Sequence, residues 1–384
     1  MILAKERPVD ERPAALQRLL AEVRARHEEF ASNTHISADV VDLMKQAGVY
    51  RAMVAKRFGG DEMSPSDFLR LIERISEADG SAGWVASFGF SAVYLSALPL
   101  ETLEEMYENG PDVVFAGGIF PPQTAVPVAG GLEVSGRWGW GSGCMGADYI
   151  GVGIKLDGQA GPGGLPLIAV MPASKVKIEQ DWNVIGLQGT GSYDMVVDKV
   201  VVPEEWTFVR GGPSSLDVPL HRYPSMALAA QVLAVVGLGV ARASLDYFVT
   251  LAGGRTSITG APTLADRAYV QTDLARAEAT LRSARAFFFE VTDQAYACIA
   301  AGNELDVETK SMLRLAATNA AHVSADITRT VYRLAGTTGI AAGGPISRYL
   351  HDSMIVPQHA FLADGTWQNA GKVLLGREAG PGFP

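Results

Sequence analysis

The chain has 384 residues, 48% hydrophobic and 19% charged, with a net charge of −10, which excludes disorder and calls for two or three structural units sharing a core. No Lys/Arg run interleaves with aromatics, so neither nucleic acid nor an anionic membrane is an expected partner. With only Cys144 and Cys298 there is no CxxC pair and no expected metal site, and a reduced cytoplasmic protein is the natural reading.

The first region reads as helix. Residues 1–12 mix charges of both signs and lack the apolar stretch of a signal peptide. Residues 12–30 carry Leu16, Leu19, Leu20 and Val23 at helical spacing, and residues 37–47 start at a Ser cap. A helix over 64–78 is capped by Ser64 or Ser66. Asp79-Gly80-Ser81 stops it and caps the next, 82–98, and 100–108 follows. Near Asp112 the pattern changes to short β-rich runs at 113–116, 132–140, 149–155, 166–171 and 195–202. Breaks such as Pro121-Pro122 and Gly161-Pro162-Gly163-Gly164 separate them, as in a small antiparallel barrel or sandwich. Four long helical segments follow at 225–251, 264–301, 306–335 and 346–375, with Gly302 and Gly336 at C-terminal cap positions. The apolar run 226–240 inside the first, broken by Gln231, Gly237 and Gly239, is short of the ~20 residues of a membrane span. Gly237-Leu238-Gly239 is no dinucleotide fingerprint, because no strand precedes it and no third Gly follows. The expected organisation is an N-terminal helical domain (1–111), a central β domain (112–215) and a C-terminal four-helix bundle (216–384).

Four stretches stand out. They are Arg57-Phe58-Gly59-Gly60 with Ala78-Asp79-Gly80-Ser81-Ala82-Gly83-Trp84; residues 134–144, which include Trp138-Gly139-Trp140-Gly141-Ser142-Gly143; residues 181–192, which include Gly186-Leu187-Gln188-Gly189-Thr190-Gly191-Ser192; and Pro345-Ile346-Ser347-Arg348 with Asp352, Gln358-His359 and Leu374-Leu375-Gly376. In this order, over most of the chain, they resemble the acyl-CoA dehydrogenase superfamily, and within it the oxygenase components of two-component flavin-dependent monooxygenases. Gln188 and His351 depart from the family pattern, which has Arg at or beside these places.

The resemblance implies a mainly α fold with a central β-barrel and a four-helix bundle, assembled as a homotetramer. It implies hydroxylation of a small, aromatic substrate through a flavin C4a-hydroperoxide formed with O2. A separate NAD(P)H:flavin reductase would supply reduced FMN or FAD, since the chain shows no Rossmann unit to take hydride itself. The resemblance places Ser142 at flavin N5. It places Arg255 on the flavin phosphate of a neighbouring subunit, with Gln271 on the next helix as a further cofactor contact, and Gly336-Thr337-Thr338-Gly339 near the partner's cofactor. Strand alternation puts Trp138, Trp140 and Ser142 on one face, two indoles and a hydroxyl suited to a flat ring, though a half-buried strand with core tryptophans has the same pattern.

His359, two helical turns from Asp352, is the candidate proton-handling group, because an imidazole holds or moves a proton near neutral pH. His351 reads as structural, His322 as packed, His27 and His35 as surface, and His221 as a possible pocket edge. The competing reading is an acyl-CoA dehydrogenase with Asp364, in Ala363-Asp364-Gly365-Thr366, as the carboxylate base. A non-enzymatic flavin-fold scaffold is disfavoured by the intact Trp140, Ser142 and His359. The expected pocket walls are apolar with few charges, which suits a small neutral aromatic.

Overall fold

A computed structural model describes residues 12–156, 166–254, 262–380 and 383. α1 (Arg12–Ala25) buries Ala15, Leu19, Leu20 and Val23, but the helix expected to run on to residue 30 breaks at Arg26. Arg26 leaves the helical conformation and donates to Glu29 at 2.8 Å, and the chain restarts as α2 (His27–Asn33). Ser37 precedes α3 (Ala38–Gln46) without capping it; its hydroxyl donates to Glu29. α4 (Pro65–Ala78) is capped by Ser64, which accepts from the Asp67 N–H. Asp79 ends α4 and caps α5 (Gly80–Ser87), its Oδ1 accepting from the Ala82 N–H at 2.9 Å. The single helix expected to residue 98 is α5, a 3₁₀ turn at Phe88–Phe90 and α6 (Ser91–Leu95). Gly89 in that turn passes so close to the Val49 carbonyl that a Cβ would lie 2.6 Å from its oxygen. α7 (Leu100–Met106) closes the first helical part.

Eight strands follow among the described residues: β1 (Phe115–Thr124), β2 (Val126–Val128), β3 (Gly131–Gly141), β4 (Tyr149–Lys155), β5 (Leu167–Pro172), β6 (Lys177–Glu179), β7 (Tyr193–Val202) and β8 (Thr207–Val209). They form two four-stranded sheets, ordered β1-β4-β5-β8 and β2-β3-β7-β6, with β1 packed on β3. Pairing is not antiparallel throughout. β1 and β4 run parallel, because the chain between them crosses into the second sheet as β2 and β3. β2, β6 and β8, at three residues each, carry too little alternation to be read from sequence.

The C-terminal part holds three long helices, α8 (Ser225–Gly254), α9 (Ala268–Ala300) and α10 (Val307–Ala335), the last capped by Asp306. The fourth long segment is not one helix. It is α11 (Pro345–Ile355), a 3₁₀ turn at Val356–Gln358 and α12 (Gly365–Leu374), since Pro357 cannot continue the α-helical ladder. α8 is long and apolar enough to cross a membrane by length and composition, yet 83% of its most apolar window is buried inside the chain. It packs on α4, α10 and α11. Gly239 permits the close crossing with α4, where a Cβ would lie 2.5 Å from the Glu73 carbonyl oxygen.

Candidate active site

A cavity of about 450 Å³ opens where β1, β3 and the turn before β7 meet α5, α6, α8 and the segment after α11. Ser142 enters it from the end of β3. The β3–β7 ladder shifts register between Trp138 and Gly141, and Trp140 has a φ of +66°. The simple alternation expected of this run therefore fails. Trp138 is fully buried in the core, its Nε1–H donating to the Gly153 carbonyl at 2.9 Å. Trp140 swings outward and is 72% exposed at the cavity wall, edge-on to Trp182 at 5.6 Å.

The Ser142 hydroxyl sits in a chain of hydrogen bonds whose direction is fixed at both ends. Trp84 Nε1–H donates to Ser142 Oγ at 3.1 Å. Ser142 Oγ lies 2.7 Å from Ser192 Oγ, and Ser192 Oγ lies 2.8 Å from Thr190 Oγ1. Thr190 donates to the Leu187 carbonyl, which can only accept, at 3.0 Å. Each hydroxyl has one hydrogen, so Ser192 donates to Thr190 and Ser142 donates to Ser192. What Ser142 has left for the cavity is a lone pair.

His359 lies in the opposite wall, after the 3₁₀ turn and in extended conformation. It is therefore not on one continuous helix with Asp352, because the chain leaves the α-helix at Pro357. The Phe361 N–H donates to His359 Nδ1 at 3.2 Å, so Nε2 carries the ring hydrogen. The ring packs edge-on against Trp84 and Phe361, and burial pushes its pKa down to about 4. Asp352 is buried beneath the same wall, where its Oδ1 accepts from the Leu187 N–H at 2.6 Å and braces the turn that carries Thr190 and Ser192. His351 contributes its backbone: its carbonyl covers Gly186, where a Cβ would lie 2.3 Å away.

The remaining sequence candidates lie elsewhere. His221 is buried with Nε2 on the Met53 carbonyl at 3.2 Å and does not reach the cavity. His322 Nε2 lies 3.1 Å from the Leu362 carbonyl oxygen, and His35 is held by the Asn33 carbonyl and Tyr193. Asp364 is exposed at the N-terminus of α12, where its side chain makes no capping bond. Among the described residues no carboxylate lines the cavity, so the α-proton base of a dehydrogenase is missing from it.

A family model, "Acyl-CoA dehydrogenase, C-terminal domain", matches residues 231–364. The chain is 55% identical to an indole-3-acetate monooxygenase of Pseudomonas putida, over 94% of this chain and 92% of that one. It is 28% identical to the flavin-dependent monooxygenase oxygenase subunit HsaA of Rhodococcus jostii, over 90% and 93%. The chain belongs to the flavin-dependent monooxygenases of the acyl-CoA dehydrogenase fold. The structure of XiaF from Streptomyces sp. in complex with FADH2 superposes with a TM-score of 0.84 at 21% identity, covering 97% of this chain and 99% of that one. Its relatives of higher identity are monooxygenases, one of them named a flavin-dependent oxygenase subunit, so this oxygenase is flavin-dependent and forms the oxygenase component of a two-component system.

Its residues fit that cofactor. Gly117, Gly118 and Gly139 line the cavity, and at each a Cβ would come within 3.0 Å of a neighbouring atom. Trp140 and Trp182 offer flat aromatic surface at one wall. Gln271 and the turn at Gly336, Thr337 and Gly339 do not line this cavity; Gln271 Nε2 donates to the Ala265 carbonyl at 2.8 Å. Arg255 lies outside the described residues. Trp84, Thr190 and Ser192 stood inside the quoted motifs but were not singled out, because only folding brings them to Ser142. Trp182 also stands inside the quoted stretch 181–192, whereas Arg210 lies outside all four and carries no signal that separates it from an ordinary loop residue.

Proposed function

We propose that this oxygenase hydroxylates indole-3-acetate or a closely related indole acid in the cytoplasm, as a homotetramer served by a separate NAD(P)H:flavin reductase. The observation that carries this reading is an aromatic-walled cavity bearing a neutral imidazole, in a chain alignable nearly end to end with an indole-3-acetate monooxygenase. Reduced FMN or FAD, when bound, supplies two electrons with which O2 is split, one oxygen atom going to substrate and the other to water.

The chain's own part is to hold and to keep dry. Ser142 Oγ accepts from a ring N–H, with Trp84, Ser192 and Thr190 fixing its orientation. Trp140 and Trp182 flank the ring system. His359 keeps one hydrogen at Nε2 and donates it to oxygen or to the substrate. Phe88, Phe90 and Ile355 exclude water. Arg255 and the turn at Gly336, Thr337 and Gly339 serve the cofactor of a neighbouring subunit, a role supported by the family resemblance.

The test is product formation with and without a flavin reductase. With NADH and flavin alone the chain should consume no indole-3-acetate. Adding a flavin:NADH reductase, or chemically reduced FMN or FAD with air, should give one hydroxylated product per O2 consumed. Reduced flavin that yields only peroxide, with indole-3-acetate untouched, overturns the substrate assignment.

A further inference from the structure

Among the described residues one charged side chain lines the cavity, and none of them gives it a counter-ion. Arg210 follows β8, held there by its backbone N–H on the Pro166 carbonyl at 3.2 Å. It is 4% exposed, with its guanidinium carbon 4.0 Å from the centre of the Tyr94 ring. Its Nε and Nη1 have no hydrogen-bond partner among the described residues. Tyr94 in turn packs edge-on to Phe115 at 5.7 Å and stacks on Phe208 at 6.1 Å. Desolvation lowers the guanidinium pKa, and Tyr94 opposes this.

A buried, unpaired guanidinium destabilises the ligand-free fold. Its planar fork matches a carboxylate with two parallel N–H bonds, and stacking on Tyr94 fixes the plane of the fork. The surrounding aromatic walls accept an aryl ring rather than water. We infer that Arg210 is the carboxylate anchor of this cavity and selects aromatic acids over neutral aromatics of the same shape. This deepens the indole-3-acetate reading and rests on it for the identity of the ring. It departs from the small neutral aromatic expected from sequence, since one buried cation outweighs the apolar lining in choosing the ligand's charge.

The experiment compares wild type, Arg210→Met and Arg210→Lys by calorimetric titration of the full chain with indole-3-acetate and with 3-methylindole, which lacks the carboxylate. Wild type should prefer the acid on the order of 10²-fold, the worth of charge-assisted hydrogen bonds out of water. Arg210→Met should abolish that preference and leave 3-methylindole binding unchanged, while Arg210→Lys keeps part of it. Ligand-free Arg210→Met should melt no lower than wild type, because removing an unpaired buried charge leaves no partner stranded. No acid preference in wild type, an undiminished preference in Arg210→Met, or equal loss of both ligands would overturn the anchor. So would selective weakening of FMN relative to riboflavin, which would assign Arg210 to the flavin phosphate. If wild type ignores both indoles but prefers phenylacetate over toluene through Arg210, the anchor stands and the indole reading falls. If wild type hydroxylates indole-3-acetate while Arg210→Met keeps the full acid preference, the anchor falls and the indole reading stands.

Discussion

The hydrogen of Ser142 is committed before any ligand arrives, because the chain through Ser192 and Thr190 ends on the Leu187 carbonyl. A group facing Ser142 must therefore be a donor. Reduced flavin carries an N–H at the ring position where oxidised flavin carries a bare nitrogen, so Ser142, in the role proposed for it, should favour the reduced form. Ser142→Ala should weaken reduced flavin by about 1–3 kcal/mol and oxidised flavin by less, read by anaerobic fluorescence titration. Thr190→Val leaves Ser142 in place but frees the direction of the chain, and should narrow the gap between the two redox forms. An unchanged gap in Thr190→Val would show that the direction has no such effect. His359 makes the complementary case. With its pKa pushed down to about 4 by burial, it is neutral over the working range and shows no titration near its ordinary 6.5. Its contribution to stability is full above 6.5 and is lost as pH falls toward 4, since the unfolded chain binds the proton first. His359→Ala should cut product per reduced flavin by about 10²–10⁴ at every pH from 6 to 8 and raise peroxide release. Asp364→Asn should be near normal, because Asp364 is exposed and outside the cavity. The opposite order of the two variants would reinstate the dehydrogenase carboxylate.

At the scale of elements, the turn between β6 and β7 is clamped onto α11 at two points. The His351 carbonyl sits over Gly186, and Asp352 accepts from the Leu187 N–H. Burial, with Asp79 nearby, raises the Asp352 carboxyl to about 7. A raised carboxyl stabilises the fold fully below its unfolded value near 3.8, and that contribution is lost as pH rises through 7. Asp352→Asn keeps a carbonyl for the Leu187 N–H and removes the charge. It should stabilise the protein at pH 8 by roughly 1–3 kcal/mol and progressively less toward pH 4, measured by thermal unfolding. A uniform loss at all pH values would mean that the ionised form is needed. The order of helices, sheets and helices was legible from periodicity, and Ser142 and His359 from motifs. The break at Arg26 depends on Glu29 and Asp39 lying within reach of one guanidinium, the last on another helix. The outward turn of Trp140 depends on a register shift against β7. The hydroxyl chain joins residues 84, 142, 190 and 192, which no spacing rule connects.

The whole molecule alters the argument for assembly. α8 is apolar on two faces, Leu228, Val232 and Val235 on one and Ala229, Leu233 and Val236 on the other, a pattern that by itself calls for a second chain to cover one of them. All six are at most 4% exposed within a single chain, because α4, α10 and α11 surround α8. The homotetramer proposed above therefore has to use other faces. Large apolar side chains are exposed in both the β domain and the helical part; adjacent in sequence at the C-terminal end are Leu374, 61% exposed, and Leu375, 78% exposed, with Trp367 38% exposed on the same helix. Large exposed aliphatic groups next to one another are unfavourable in water and favour burial against a second copy. We expect a homotetramer at micromolar concentration by light scattering, with Leu374→Glu and Leu375→Glu together giving smaller species whose melting is little changed. A double variant that stays tetrameric would place the interface away from α12. A wild-type monomer that is fully active would remove the homotetramer, and with it the roles proposed across subunits for Arg255, Gly336, Thr337 and Gly339.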